Sequence, residues 1–446
     1  MILISFYSFA QTGPGGIGNS DGTTGQPKNV LWLDASSLGL ADGSDIATWT
    51  DLSGNNNNLS QSTAGFTPIF QDDASNINGH PRAEFSKANN RIVINPFNDM
   101  PTSGITTFII YKTTDSGDGL VSYNSSVDNA FLLFNNDLMR TYINGSGHTP
   151  PGPEPDYNSG NWQILSHKWK SSGGDIVYNR DGDQVYTTTF QDGASIPSGG
   201  CLAIGGEQDT QNGGYTSGQA FQGEIAEIVM YNSFLNSAQQ LIVENYLSEK
   251  YNLSFSTAGN DKFGNDADFN SSYIYNIAGI GQEADGDHTQ TSSGGMYLYE
   301  WNSTLANGEY VMSAHDNTTN NSTTTYTGGD LPGGTEASWA RQWYIEKTSS
   351  DGIDVKLIFD FKEALTDGQY PANVANYVLL YRSAATGAYS VVTTASQGTL
   401  DADQVYFNVS DANLQNGYYT IGTNDETNSP VEGVAGRTWY ALASGD

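Results

Sequence analysis

The sequence predicts an all-β protein: one antiparallel β-sandwich, then a second, with one helix at the end of the first domain. Three observations predict it. Short apolar runs of strand composition recur along the chain, each bounded by Gly, Asn, Asp or Pro, which is the spacing of a sandwich or barrel. Helical periodicity is convincing only over Ser237 to Tyr251, where Ala238, Leu241, Ile242, Tyr246 and Leu247 share a stripe. The length, 446 residues, exceeds the roughly 250 residues a single all-β domain reaches, so two large modules are expected.

In chain order, Met1 to Gln11 ends in Ser8-Phe9-Ala10-Gln11 after a short apolar stretch and reads as a signal-peptide remnant. Residues 12–27 are small, polar and Gly-rich, the composition of a flexible linker. The first module occupies 28–254, with strands at Val30 to Leu33, Thr107 to Tyr111, Phe131 to Phe134, Trp162 to Leu165, Asp175 to Tyr178 and Gln184 to Phe190. Asp181-Gly182 supplies the pair that a tight hairpin favours. At the helix start, Asn236 with Gln239 fits a capping box. A second module, 255–423, follows the polar stretch Ser254 to Ser272 and carries strand-like runs from Tyr273 to Ile421 with no evident helix. Residues 424–446 read as a linker and the start of a further module, on Arg437-Thr438-Trp439-Tyr440.

Charge narrows the function. Lys and Arg total 17 against 49 Asp and Glu, giving a net charge of −32. Such a surface repels phosphate backbones and anionic lipid, which argues against nucleic-acid and peripheral membrane binding. Cations, neutral glycans and basic partners remain. No run approaches the ~18 apolar residues of a membrane span. With one cysteine, Cys201, no intramolecular disulfide forms, so packed cores must supply stability. Cys201 itself reads as a small buried strand residue.

Three segments carry a family resemblance: Asn29-Val30-Leu31-Trp32-Leu33-Asp34-Ala35 with Trp49-Thr50-Asp51-Leu52-Ser53-Gly54-Asn55, then Asn78-Gly79-His80-Pro81, and Gly223-Glu224-Ile225-Ala226-Glu227-Ile228-Val229-Met230-Tyr231-Asn232 running into the helix. Over 28–254 the chain resembles the laminin-G-like branch of the concanavalin A-like lectin/glucanase superfamily. The resemblance implies a jelly roll of two facing sheets. Through Ile277-Ala278-Gly279-Ile280-Gly281 and Arg341-Gln342-Trp343-Tyr344-Ile345-Glu346-Lys347, the second module is similar to one that follows such domains in large bacterial surface adhesins. Together they imply an exported cell-surface protein whose partners are an extracellular glycan or glycosylated surface and further modules of the same chain.

The superfamily holds both glucanases and binding modules, so the site must decide. Glucanases carry Glu-x-Asp-x-Glu on one strand, where alternation points all three carboxylates into the cleft. No such triplet occurs in the first module; the nearest, Glu283-Ala284-Asp285-Gly286-Asp287, lies in the second, in a Gly-rich loop. Glu224 and Glu227, three apart on a strand, are expected on opposite faces as exposed strand ends. The five histidines lack the short spacings of zinc sites. Calcium takes oxygen ligands, which Asp- and Asn-rich loops supply, and some laminin-G-like domains bind it at a loop rim. The metal candidates are Asp115 and Asp118 in one loop and Asp209 in Glu207-Gln208-Asp209-Thr210-Gln211-Asn212. For glycan stacking the candidates are Tyr215, beside Asn212 as a polar neighbour, and Tyr157. The reading is a non-enzymatic, carbohydrate-binding adhesion module. Its alternatives are a structural stalk or assembly module and a glycoside hydrolase.

Overall fold

The computed structural model describes residues 13–431 except 24–25, 87–89, 136–137, 153–155, 265–271, 317–329, 349–351, 362–372, 393–395 and 399–402. The signal-peptide remnant and the strand expected at Arg437 to Tyr440 lie outside the described residues. The chain divides into two compact units, one made of Met1–Asn236 and Val243–Asp261, the other of Ser237–Ile242 and Lys262–Asp446.

The first unit is a jelly roll of two antiparallel sheets. Sheet I runs in the order Asp183–Thr189, Asp175–Arg180, Gln163–Lys170, Gly104–Lys112, Gly223–Tyr231, Arg82–Phe85 and Ile69–Gln71, and Asn29–Asp34 also pairs with Gly223–Tyr231. Sheet II runs Ser146–His148, Met139–Ile143, Phe131–Asn135, Asp118–Asn124, Gly200–Ile204, Ile92–Phe97, Leu59–Ser60 and Thr48–Trp49. Alternation along each strand sends one set of side chains between the sheets. Sheet I contributes Ile105, Ile109, Tyr111 and Leu165; sheet II contributes Val121, Tyr123, Phe131, Leu133, Leu202 and Ile204.

The later half of the helix α1, Ser237–Tyr251, brings Glu244 onto the other face of sheet I. There Glu244 accepts hydrogen bonds from Ser166 Oγ at 2.6 Å and Asn179 Nδ2 at 3.3 Å. The expectation that Glu224 and Glu227 face opposite sides as exposed strand ends is corrected here. A β-bulge between Ile225 and Glu227 puts Glu224 opposite Lys112 and Glu227 opposite Ile110, two positions of one face. Glu227 is 0% exposed.

The linker expected over 12–27 is also corrected. Its described residues pack on the sandwich: Ile17 is 0% exposed, Tyr231 Oη donates to Ile17 O at 3.2 Å, and Asn29 N donates to Asn19 O at 2.8 Å. Glycine serves contact here rather than flexibility. Gly18 has φ +79°, and a Cβ on it would stand 2.9 Å from the Tyr231 ring.

The second unit is again two antiparallel sheets. One runs Gly286–His288, Tyr275–Glu283, Tyr310–His315, Trp343–Lys347, Gly417–Thr423, Tyr377–Arg382 and Ser390–Val391, with Ala337–Ser338 pairing Gly417–Thr423. The other runs Gln290–Ser293, Met296–Glu300, Val355–Asp360, Gln404–Val409 and Ser396–Gly398. Trp339, Trp343, Phe359, Phe407 and Ile421 fill the space between them. Residues expected to be linker after 423 belong to this core. Val431 is 0% exposed, its carbonyl accepts from Trp339 Nε1 at 2.6 Å, and Pro430 O accepts from Tyr377 Oη at 3.0 Å.

Candidate functional site

Strands Asp118–Asn124 and Gly200–Ile204 pair with Cys201 opposite Asn124 and Ile204 opposite Val121. Since Val121, Tyr123, Leu202 and Ile204 turn into the core, alternation leaves Ser122, Asn124 and Cys201 on the outer face of sheet II. After Ile204 the chain folds back over that face. Gln208, 0% exposed, fastens it. Its backbone N donates to Ser122 Oγ at 3.2 Å, and its Nε2 donates to Ser122 O at 3.0 Å and Cys201 O at 3.1 Å. Its carbonyl accepts from Asn124 Nδ2 at 2.6 Å and its Oε1 from Asn212 N at 2.9 Å.

This fold-back gathers oxygens. Glu207 is 3% exposed, and its Oε2 is a buried acceptor that receives no hydrogen bond. The same holds for Oδ1 of Asn129, which stands in the left-handed region at φ 50°. Asp128 accepts from Asn124 Nδ2 at 2.8 Å and from Asn129 Nδ2 at 3.1 Å. Burial, then the charges of Asp209 and Asp128, push the Glu207 carboxyl up to about 7. A buried acceptor without a donor costs about 1 to 3 kcal/mol, and neighbouring carboxylates add repulsion. A hard cation relieves both at once, and carboxylate, amide and backbone oxygens are the ligand types calcium takes. Among the described residues no three His, Cys, Asp or Glu side chains converge as a metal site.

Gly119 makes the fold-back possible. A Cβ there would lie 2.7 Å from Glu207 N and 2.8 Å from Glu207 Cα, both backbone. Gly119→Ala should therefore push Glu207 off its position and cost about 1 to 3 kcal/mol. Urea unfolding of the variant against wild type checks this.

The residues expected from sequence are scattered by the fold. Asp209 and Asn212 lie in the fold-back segment. Tyr215 is half-buried, and the Arg91 guanidinium sits 3.9 Å over its ring. One face of that ring is therefore taken, and its Oη donates weakly to Asn212 Oδ1 at 3.4 Å. Tyr157 is corrected: at 1% exposure it is a core residue and presents no face to a ligand. Asp118 is 0% exposed at the start of its strand. Asp115 belongs to the preceding turn, where its Oδ1 accepts from Ser116 N at 2.9 Å and its carbonyl from Asn135 Nδ2 at 3.2 Å. Asp128 and Asn129 were missed by the sequence reading. They lie about eighty positions from Glu207, and only the pairing of their strands brings them to the same place.

A shallow pocket of about 240 Å³ at the edge of sheet I is lined by Glu84, Lys112 and Glu224 among others. Glu84 stands directly opposite Glu224 in register. These two carboxylates line the pocket together. Both rise from one face of one sheet, and each is already engaged by its neighbours. Glu224 is held by Arg82 Nε at 3.1 Å and Lys112 Nζ at 2.7 Å, and Glu84 accepts from Gln71.

Two facing antiparallel sheets with a filled interior make the first unit a jelly roll. Within it, residues 86–253 match the model of the Pentaxin family. The chain is 29% identical over 148 residues to serum amyloid P-component of Rattus norvegicus, covering 31% of this chain and 62% of that protein. It is 32% identical over 125 residues to C-reactive protein 1.4 of Limulus polyphemus, covering 27% of this chain and 52% of that one. A sushi, von Willebrand factor type A, EGF and pentraxin domain-containing protein of Rattus norvegicus is 31% identical over 113 residues, 25% of this chain and 3% of that protein. The chain thus spans less than two thirds of each. Among solved structures, a native heptameric SAP-like pentraxin from Limulus polyphemus is similar at 20% identity and TM-score 0.29, covering 36% of this chain and 75% of that one. No helix among the described residues is long and apolar enough to cross a membrane.

Proposed function

We propose that the first unit is a calcium-dependent carbohydrate-binding module of an exported bacterial surface protein, with the second unit as an adjoining module of the same adhesin. One observation carries the reading: the buried Glu207 Oε2 and Asn129 Oδ1 accept no hydrogen bond, at the place where Asp128 and Asp209 also gather. Calcium would neutralise that cluster and leave coordination positions open toward solvent, where vicinal hydroxyls of a neutral glycan can complete the shell. The net charge of −32 favours cations and uncharged sugars over polyanions. Tyr215 and Asn212 edge the same segment, and the ring face not covered by Arg91 is the one a sugar would use.

Glu207→Gln keeps size and shape while removing the charge. It should weaken calcium binding at least about tenfold, or roughly 1.4 kcal/mol, by titration calorimetry, and abolish calcium-dependent retention on a glycan array. Equal calcium affinity in wild type and variant would move the site elsewhere. An array with no signal in either calcium or chelator would favour the stalk reading.

A further inference from the structure

Beneath α1 lies a charged group that the proposed binding site does not use. Lys250 Nζ donates to Asp34 Oδ2 at 2.7 Å, to Glu227 Oε2 at 2.6 Å and to Tyr246 Oη at 3.1 Å. Exposures are 7% for Lys250, 8% for Asp34 and 0% for Glu227. Glu227 is enclosed by aromatic donors: Trp32 Nε1 at 2.7 Å, Tyr246 Oη at 3.0 Å and Tyr251 Oη at 2.7 Å. The other Asp34 oxygen, Oδ1, accepts from Ser36 N at 2.8 Å.

As a structural ion pair this arrangement is expensive, because desolvating buried charges offsets most of their attraction. As a reactive centre each part has a task. From these contacts we infer that Lys250 and Asp34 condense to an intramolecular amide, with Glu227 relaying the protons. The Lys250 ammonium passes a proton to Glu227, and the neutral amine attacks Asp34 Cγ. Backbone Ser36 N–H holds the charge that develops on Oδ1, as an oxyanion donor does. Glu227 returns that proton to Oδ2 and carries a second one there from the attacking nitrogen. The Nζ–Cγ bond forms, the Cγ–Oδ2 bond breaks, and Oδ2 leaves as water. Nothing is oxidised or reduced. Fixed geometry replaces the activation that amide formation needs in solution, and a neutral amide replaces two buried charges.

The bond would join positions 216 residues apart, the strand that opens the jelly roll and the helix that closes it. Intact mass spectrometry of the purified protein tests this. Wild type should be lighter than its sequence by one water, and proteolysis should yield one branched peptide joining the segments that carry Asp34 and Lys250. Lys250→Arg should show the full mass, and wild type should migrate faster than this variant on a denaturing gel. Wild type at full mass, with the two segments released as separate peptides, overturns the inference whatever the variants do. Glu227→Gln should remain unlinked while keeping a wild-type circular dichroism spectrum; a linked Glu227→Gln overturns the relay assigned to Glu227.

Discussion

Acidification should destabilise the first unit by about 4 kcal/mol between neutral pH and pH 3 through His167 alone. This side chain is 0% exposed, lies between the sheets with its ring 6.0 Å from Phe131 and 5.1 Å from Tyr178, and neither ring nitrogen has a hydrogen-bond partner. Burial depresses its pKa from 6.5 to about 3. The folded state therefore holds it neutral where the unfolded chain protonates it. Its contribution is fully present above pH 6.5 and is lost as pH falls toward about 3, at roughly 1.4 kcal/mol per pH unit. His80, depressed to about 4 chiefly by burial, adds a second proton over part of the window. His167→Phe should remove the first contribution and leave the second. Urea unfolding at pH 7 and pH 4 measures the slope, and an unchanged slope in the variant would assign the acid sensitivity elsewhere.

Trp343→Ala should cost the second unit about 3 to 5 kcal/mol. The side chain is 0% exposed and stands at the centre of an aromatic group, 5.9 Å from Trp339, 5.7 Å from Phe359 and 6.1 Å from His315. Its indole N–H donates to Ser293 O on the facing sheet. Truncation opens a cavity between the sheets and also strands a buried carbonyl. Trp343→Phe should recover most of the packing but not the hydrogen bond, and so fall between the two. Denaturant midpoints at constant slope check the order; an alanine variant within about 1 kcal/mol of wild type would contradict this account of the core.

The fold was legible where apolar runs of strand composition were strong. Gly104–Lys112, Phe131–Asn135 and Asp175–Arg180 coincide closely with strands read from sequence, and Ser237–Tyr251 is the helix as expected. Asp118–Asn124 escaped because Asp118, Gly119, Ser122 and Asn124 give it the composition of a loop, although it is buried along its whole length. Glycine misled in the other direction. Residues 13–19 look flexible in composition, yet their glycines permit close packing against Tyr231. At the site, the loop holding Glu207, Asp209 and Asn212 was visible as a cluster of oxygen donors. Asp128 and Asn129 were not, since their proximity is a property of strand pairing and a one-dimensional pattern does not encode it.

The folded-back segment also turns Cys201 into a built-in reporter. The thiol is 0% exposed beneath it, and burial raises its pKa to about 11, so the reactive thiolate is almost absent at neutral pH. Alkylation must wait until the segment lifts. The rate of labelling by a maleimide then counts those openings directly, and any ion that binds the closed form slows them in proportion to its occupancy. As the chain has one cysteine, the signal comes from a single place, and the motion can be followed without adding a probe.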